Sequence, residues 1–133
     1  MNGFIQNIER ATVLNTDFRK VLYTAKNCQL VLMSLKPGEE IGLETHALDQ
    51  FFRIESGSGQ IIINSVTSEV EDGFGIIVPA GSNHNMINTG KVDLKLYTIY
   101  SPPNHLDGVV HHSHLDAIND HEEFDGKTTE SLN

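Results

Sequence analysis

Apolar and polar residues alternate along most of this chain in short runs, the period of a strand with one buried face. The runs are "FRKVLYTA", "CQLVLMSL", "EIGLETH", "QFFRIES", "GQIIINS", "TSEVE", "FGIIVP", "HNMIN" and "VDLKLYTIY". Between them stand Lys36-Pro37-Gly38, Ser56-Gly57-Ser58-Gly59, Asp72-Gly73, Pro79-Ala80-Gly81 and Thr89-Gly90-Lys91. These separators hold residues that accept a positive or preset φ, so they read as turns. Many short strands at this spacing predict an all-β antiparallel sandwich or barrel. Ahead of them, "FIQNIERATVL" reads as one more strand-like segment. Its open edge would pair with a second copy, so a homodimer is expected.

The pattern changes after the last long run. Pro102-Pro103 cannot donate to a ladder and stops it. This divides the chain into a barrel over residues 1–103 and an acidic, His-containing extension over 104–133. One short helix is predicted there, over "HLDAINDHEEF", with Ser113 as cap and Asp116 three residues on. Leu115 and Ile118 share a helical face and are expected to dock on the barrel's outside, beside Val109, Val110 and Phe124. From Gly126 onward no apolar anchor follows, and disorder or crystal-dependent order is expected.

Composition narrows the classes of partner. The chain has 133 residues, enough for one cored domain, and a formal charge of −9. That charge argues against nucleic acid and anionic membrane. The single cysteine, Cys28, permits no intramolecular disulfide. The N-terminus lacks a leader pattern, and no apolar run reaches the roughly 20 residues of a bilayer span. Cytoplasm is the expected location. "GSGQ" is not followed by a helix, so it reads as a hairpin turn rather than a phosphate loop.

Candidate chemistry lies in two of the runs. Strand parity puts Glu44 and His46 on one face, and a turn at 47–49 would return Gln50 to it, with Phe52 and Ile54 following. His84 opens "HNMIN", where Met86 and Asn88 alternate with it. A carboxylate, imidazoles and an amide converging inside a barrel are costly without compensation, and a divalent cation would satisfy them. Phe52, Ile54, Met86 and Tyr97 are the predicted pocket residues. Of the cations, only Arg53 and Lys95 are read on the barrel strands, and parity turns Arg53 outward. His105, His111, His112 and His114 read as part of a surface strap rather than as a second metal site.

These residues carry a resemblance. Gly38, Glu44, His46, Gln50 and Gly57 fit the spacing of the first cupin motif, G-x5-H-x-H-x3-E-x6-G, with Glu and Gln replacing two ligands. Gly73, Pro79, Gly81, His84 and Asn88 fit the second, G-x5-P-x-G-x2-H-x3-N, at every position. The chain therefore resembles small single-domain bacterial cupins. "LKLYTIYSPPNH", "DGVVH" and "FDGKTTE" are similar to a subgroup labelled mannose-6-phosphate isomerase-like. The resemblance implies a jelly-roll barrel with one divalent metal (Zn, Fe, Mn, Ni or Co) held by Glu44, His46, Gln50 and His84. Type-I phosphomannose isomerases use ligands of the same types on a related fold. A small oxygenated metabolite is the expected partner, with sugar or sugar-phosphate isomerisation as the leading reading. The alternatives are an Fe- or Mn-dependent dioxygenase and a non-catalytic metal- or metabolite-binding module.

Overall fold

In a computed structural model, residues 1–130 are described. They form two antiparallel sheets facing each other as a jelly roll, with short helices at either end. Helix α1 spans Ile8–Leu14. The strands are β1 (Arg19–Thr24), β2 (Gln29–Leu35), β3 (Glu44–Thr45), β4 (Asp49–Ser56), β5 (Ser58–Ile63), β6 (Val66–Glu71), β7 (Gly75–Val78), β8 (Asn83–Ile87), β9 (Leu94–Ser101) and β10 (Val110–His111). Helix α2 covers His114–Ile118. The larger sheet runs β10-β1-β2-β9-β4-β7, and the smaller runs β3-β8-β5-β6.

The alternating runs become strands because one parity of each is buried between the sheets. β9 shows it best: Leu94, Leu96, Thr98 and Tyr100 are buried, while Lys95, Tyr97 and Ile99 are only half-buried. Val31, Met33, Leu35, Phe52, Ile54, Met86, Leu94 and Leu96 are fully enclosed. Each such side chain contributes about 1.5–3 kcal/mol by leaving water. Gly57 closes the corner between β4 and β5 at φ +90°, where a Cβ would lie 2.6 Å from the Asp93 carbonyl oxygen. Only glycine fits there. Asn88 staples the neighbouring bend: its Nδ2 donates to the carbonyls of Leu35 and Val92, each at 2.9 Å, and its Oδ1 accepts from the Gly90 amide.

Four expectations need correction. The N-terminal segment is the helix α1, not a strand. Asn7 caps it, with Oδ1 accepting from the Arg10 amide at 3.0 Å, and Glu9 lies in its first turn. The segment offers no sheet edge, which removes the basis given above for a homodimer. The run "EIGLETH" keeps only two residues as β3, because Gly42 turns at φ +111°. The late helix stops at Ile118, and its inward residues are His114 and Ala117. Leu115 and Ile118 are 64% and 57% exposed and join no buried core, although Ile118 borders a cavity beside Phe18 and Ile41. Finally, residues 126–130 are held in place by polar contacts. Thr129 bonds Thr24 in both directions (amide to Thr24 carbonyl 3.0 Å, Oγ1 from the Thr24 amide 2.8 Å), and Glu130 accepts from the amides of Asn2 and Gly3 and from the Tyr23 hydroxyl. The rest of that expectation, at 131–133, lies outside the described residues. No helix among the described residues is long and apolar enough to cross a membrane.

Candidate metal centre

Glu44 and His84 face each other directly in the β3–β8 register, so their side chains leave the small sheet on the same side. His46, two residues past Glu44, returns to that side. One ligand atom from each of the three lies within 4.8 Å of the other two. The turn of the second motif pins the histidine of the first: the Gly81 amide donates to the His46 carbonyl at 2.7 Å. Gln50 lies on the opposite sheet, paired with Tyr100 in the β4–β9 register. The four predicted ligands thus come from both layers.

Their hydrogen bonds differ in a telling way. His46 Nε2 and Glu44 Oε2 share a proton at 2.7 Å. Burial pushes the Glu44 carboxyl up, but the hydrogen bond from His46 and the charges of His46, Arg19 and His84 outweigh it, leaving the group below its ordinary range. His84 is 3% exposed, and burial lowers its pKa, which favours the neutral ring. Its Nδ1–H points at the Ser82 carbonyl, 3.3 Å away. That fixes the tautomer and leaves a lone pair on Nε2. This Nε2 is buried with no partner. Gln50 Nε2 donates to Thr98 Oγ1 at 3.0 Å, while its Oε1 is likewise buried without a partner. Two imidazoles, a carboxylate and an amide oxygen suit a borderline divalent ion such as zinc or iron.

The surroundings partly match the sequence reading. Phe52 lies against His84, with centroids 6.2 Å apart, and Ile54 and Met86 are enclosed in the barrel. Tyr97 is not a pocket residue. It has the outward parity of β9 and stacks toward Phe51 at 6.2 Å. Tyr100 takes the inward place, its ring 5.9 Å from that of His46, and burial drives its pKa well above the ordinary phenol value.

Sequence reasoning overlooked Arg19 here and placed two further polar residues, His105 and His111, in a surface strap, whereas both are buried. His105 is buried, with Nε2 3.3 Å from the Tyr100 hydroxyl and Nδ1 3.0 Å from a Glu122 oxygen. Arg19 is also buried, where only Arg53 and Lys95 were read as strand cations. Its parity with inward-facing Val21 was the available signal. The third, His111, bridges Arg19 to Asp120.

A model of the cupin domain matches residues 31–100, which carry all four predicted ligands. The chain belongs to the cupin family. An uncharacterized protein of Bacillus subtilis (strain 168), YrkC, is 49% identical to this cupin over 122 residues, covering 86% of the chain and 66% of YrkC. The chain thus spans just under two thirds of that relative. A crystal structure from Bacillus halodurans superposes with a TM-score of 0.88 at 43% identity, over 90% of this chain and 96% of that one. A Thermotoga maritima structure described as a predicted oxalate decarboxylase gives a TM-score of 0.56 at 26% identity, over 58% of this chain and 68% of that one.

Proposed function

We propose that this cupin holds one divalent metal through Glu44, His46, Gln50 and His84 and acts on a small oxygenated metabolite. The observation that carries this is the pair of buried, unpartnered atoms, His84 Nε2 and Gln50 Oε1. Each such atom costs about 1–3 kcal/mol if nothing ever meets it. A cation would meet both, and would replace the proton shared by His46 and Glu44. When bound, the metal supplies Lewis acidity toward a hydroxyl, carbonyl or carboxylate oxygen.

The chain's own residues add two things. Phe52, Ile54 and Met86 exclude water and so strengthen every polar contact inside. Tyr100 keeps its proton and presents it to His105 Nε2, while His105 Nδ1–H faces Glu122. Glu122, His105 and Tyr100 thus form a hydrogen-bonded path along which a proton could be passed. It supports isomerase-like proton transfer between hydroxyl and carbonyl carbons as the leading reading. The similarity of the ligand types to those of phosphomannose isomerases points the same way. Two imidazoles and one carboxylate also form the donor set of Fe(II) oxygenases, which keeps a dioxygenase as the second reading.

Elemental analysis of protein purified without a His-tag tests the centre, with one divalent ion per chain expected. Zinc together with turnover of hydroxy-carbonyl substrates supports the isomerase. Iron with oxygen uptake supports the dioxygenase. Protein that takes up no metal even on reconstitution would sink the proposal.

A further inference from the structure

Arg19 is a buried guanidinium without a direct ion pair, although its charge is felt by the carboxylates of Glu44 and Glu122. It is 6% exposed, and among the described residues no carboxylate lies within ion-pair distance of it. Its Nη1 donates to His111 Nδ1 at 3.2 Å, across the register pair that joins β1 to β10. His111 Nε2–H in turn donates to Asp120 Oδ2 at 2.9 Å. This chain of bonds orients the guanidinium through Nη1. Its Nε is buried and has no acceptor. A buried cation with an unused donor is an expensive arrangement unless an anion is due to meet it.

The space for that anion is adjacent. Arg19 and Glu44 line the same cavity of about 150 Å³, together with Phe18, Ile41, His114, Ala117 and Ile118. At about 30 Å³ per water, this is room for about five waters. A small acid fits this space. The single guanidinium offers one forked edge, which matches the two oxygens of a carboxylate. The chain's strong negative charge further disfavours a dianion.

We propose that Arg19 is a carboxylate anchor, so that the molecule reaching this site is a small carboxylic acid held on the guanidinium edge that carries Nε. Its second oxygen function, the 2-oxo or 2-hydroxy group, points toward Glu44. This inference rests on the metal-centre reading only for where that second oxygen goes. The carboxylate contact itself needs no metal.

The test follows the Arg19 Nε–H signal by ¹H–¹⁵N NMR in metal-free and zinc-loaded protein, titrated with pyruvate, glyoxylate, L-lactate, lactamide and inorganic phosphate. At least one of the carboxylates is expected to move the signal saturably, and lactamide to leave it in place. In parallel calorimetry, Arg19→Met and Arg19→Lys should weaken that carboxylate roughly ten- to a hundredfold, since both lose the forked edge. The parent's signal keeps the test decisive if a variant fails to fold. An unmoved signal with all three acids in both forms overturns the anchor, as does Arg19→Met binding as tightly as the parent. A signal that responds to phosphate and not to the acids overturns the substrate class. Carboxylate binding by protein that takes up no metal would leave the anchor standing while the metal centre falls.

Discussion

Two groups of histidines occupy this small chain, and their hydrogen bonds separate them. In the C-terminal extension, His105 uses both ring nitrogens, on Tyr100 and Glu122, and His111 uses both, on Arg19 and Asp120. In the barrel, His84 uses one nitrogen and keeps the other buried and vacant. A ring with both nitrogens matched joins two parts of the fold. A ring with one matched and one enclosed keeps a lone pair for a ligand, as the proposed metal centre requires. Density of histidine in the sequence points the opposite way, since "HLDGVVHHSH" is the richer tract.

The sharpest way to break this contrast is to exchange the fates of the two groups. His84→Ala is expected to lose stoichiometric metal by elemental analysis, while His105→Ala and His111→Ala retain it. Metal retained by His84→Ala and lost from a tail variant would reverse the assignment. Next in size is stability. His105→Ala leaves Glu122 without its buried partner and should cost about 3 kcal/mol in chemical denaturation, with metal content unchanged.

Acid sharpens the same comparison. Burial lowers the pKa of His105 from its ordinary 6.5, despite the hydrogen bond to Glu122 that works to raise it. The folded state therefore favours the neutral ring. Its contribution is complete above 6.5 and is lost as pH falls through that value toward the folded pKa. For Glu122, burial works to raise the pKa, but the hydrogen bond and charge of His105 leave it below its ordinary 4.5. That second contribution is lost only in stronger acid. The melting temperature of metal-free protein should thus begin to fall below about pH 6.5 and fall further below about pH 4.5. His105→Gln should flatten the first of these declines.

Smaller effects are expected at the margins. Truncation after Asp125 removes the Thr129–Thr24 bonds and should cost about 1–2 kcal/mol while leaving metal bound. Gln50→Glu should keep metal and bind it more tightly, since it trades a neutral oxygen for a charged one. Calorimetry with zinc would show either outcome, and weaker binding would count against Gln50 as a ligand.

The barrel and the grouping of Glu44, His46 and His84 were legible because strand parity is local. These residues announce themselves through spacing and the turns between them. What stayed hidden was non-local and polar. Arg19 is oriented by His111, 92 residues away, and no period in β1 reveals that partner. The extension is fastened by Gln29, whose Oε1 accepts from the amides of Asn104 and His105 while Nε2 donates to the His105 carbonyl. A search for apolar anchors therefore favoured Leu115 and Ile118, which face solvent. The N-terminal helix was missed for a similar reason: its cap, Asn7, outweighs an apolar pattern that left Ile5 and Leu14 exposed.

One wall of the Arg19 cavity is α2, a five-residue helix that buries none of its residues. Its main attachment beside the cavity is the stack of His114 on Phe18, with centroids 4.7 Å apart. Lifting this wall forfeits little buried surface, whereas parting β4 from β9 disrupts the core. The two therefore belong to different timescales. Amides of residues 115–118 should exchange with solvent long before those of the central strands, and a molecule enclosed beneath α2 can leave without the barrel unfolding.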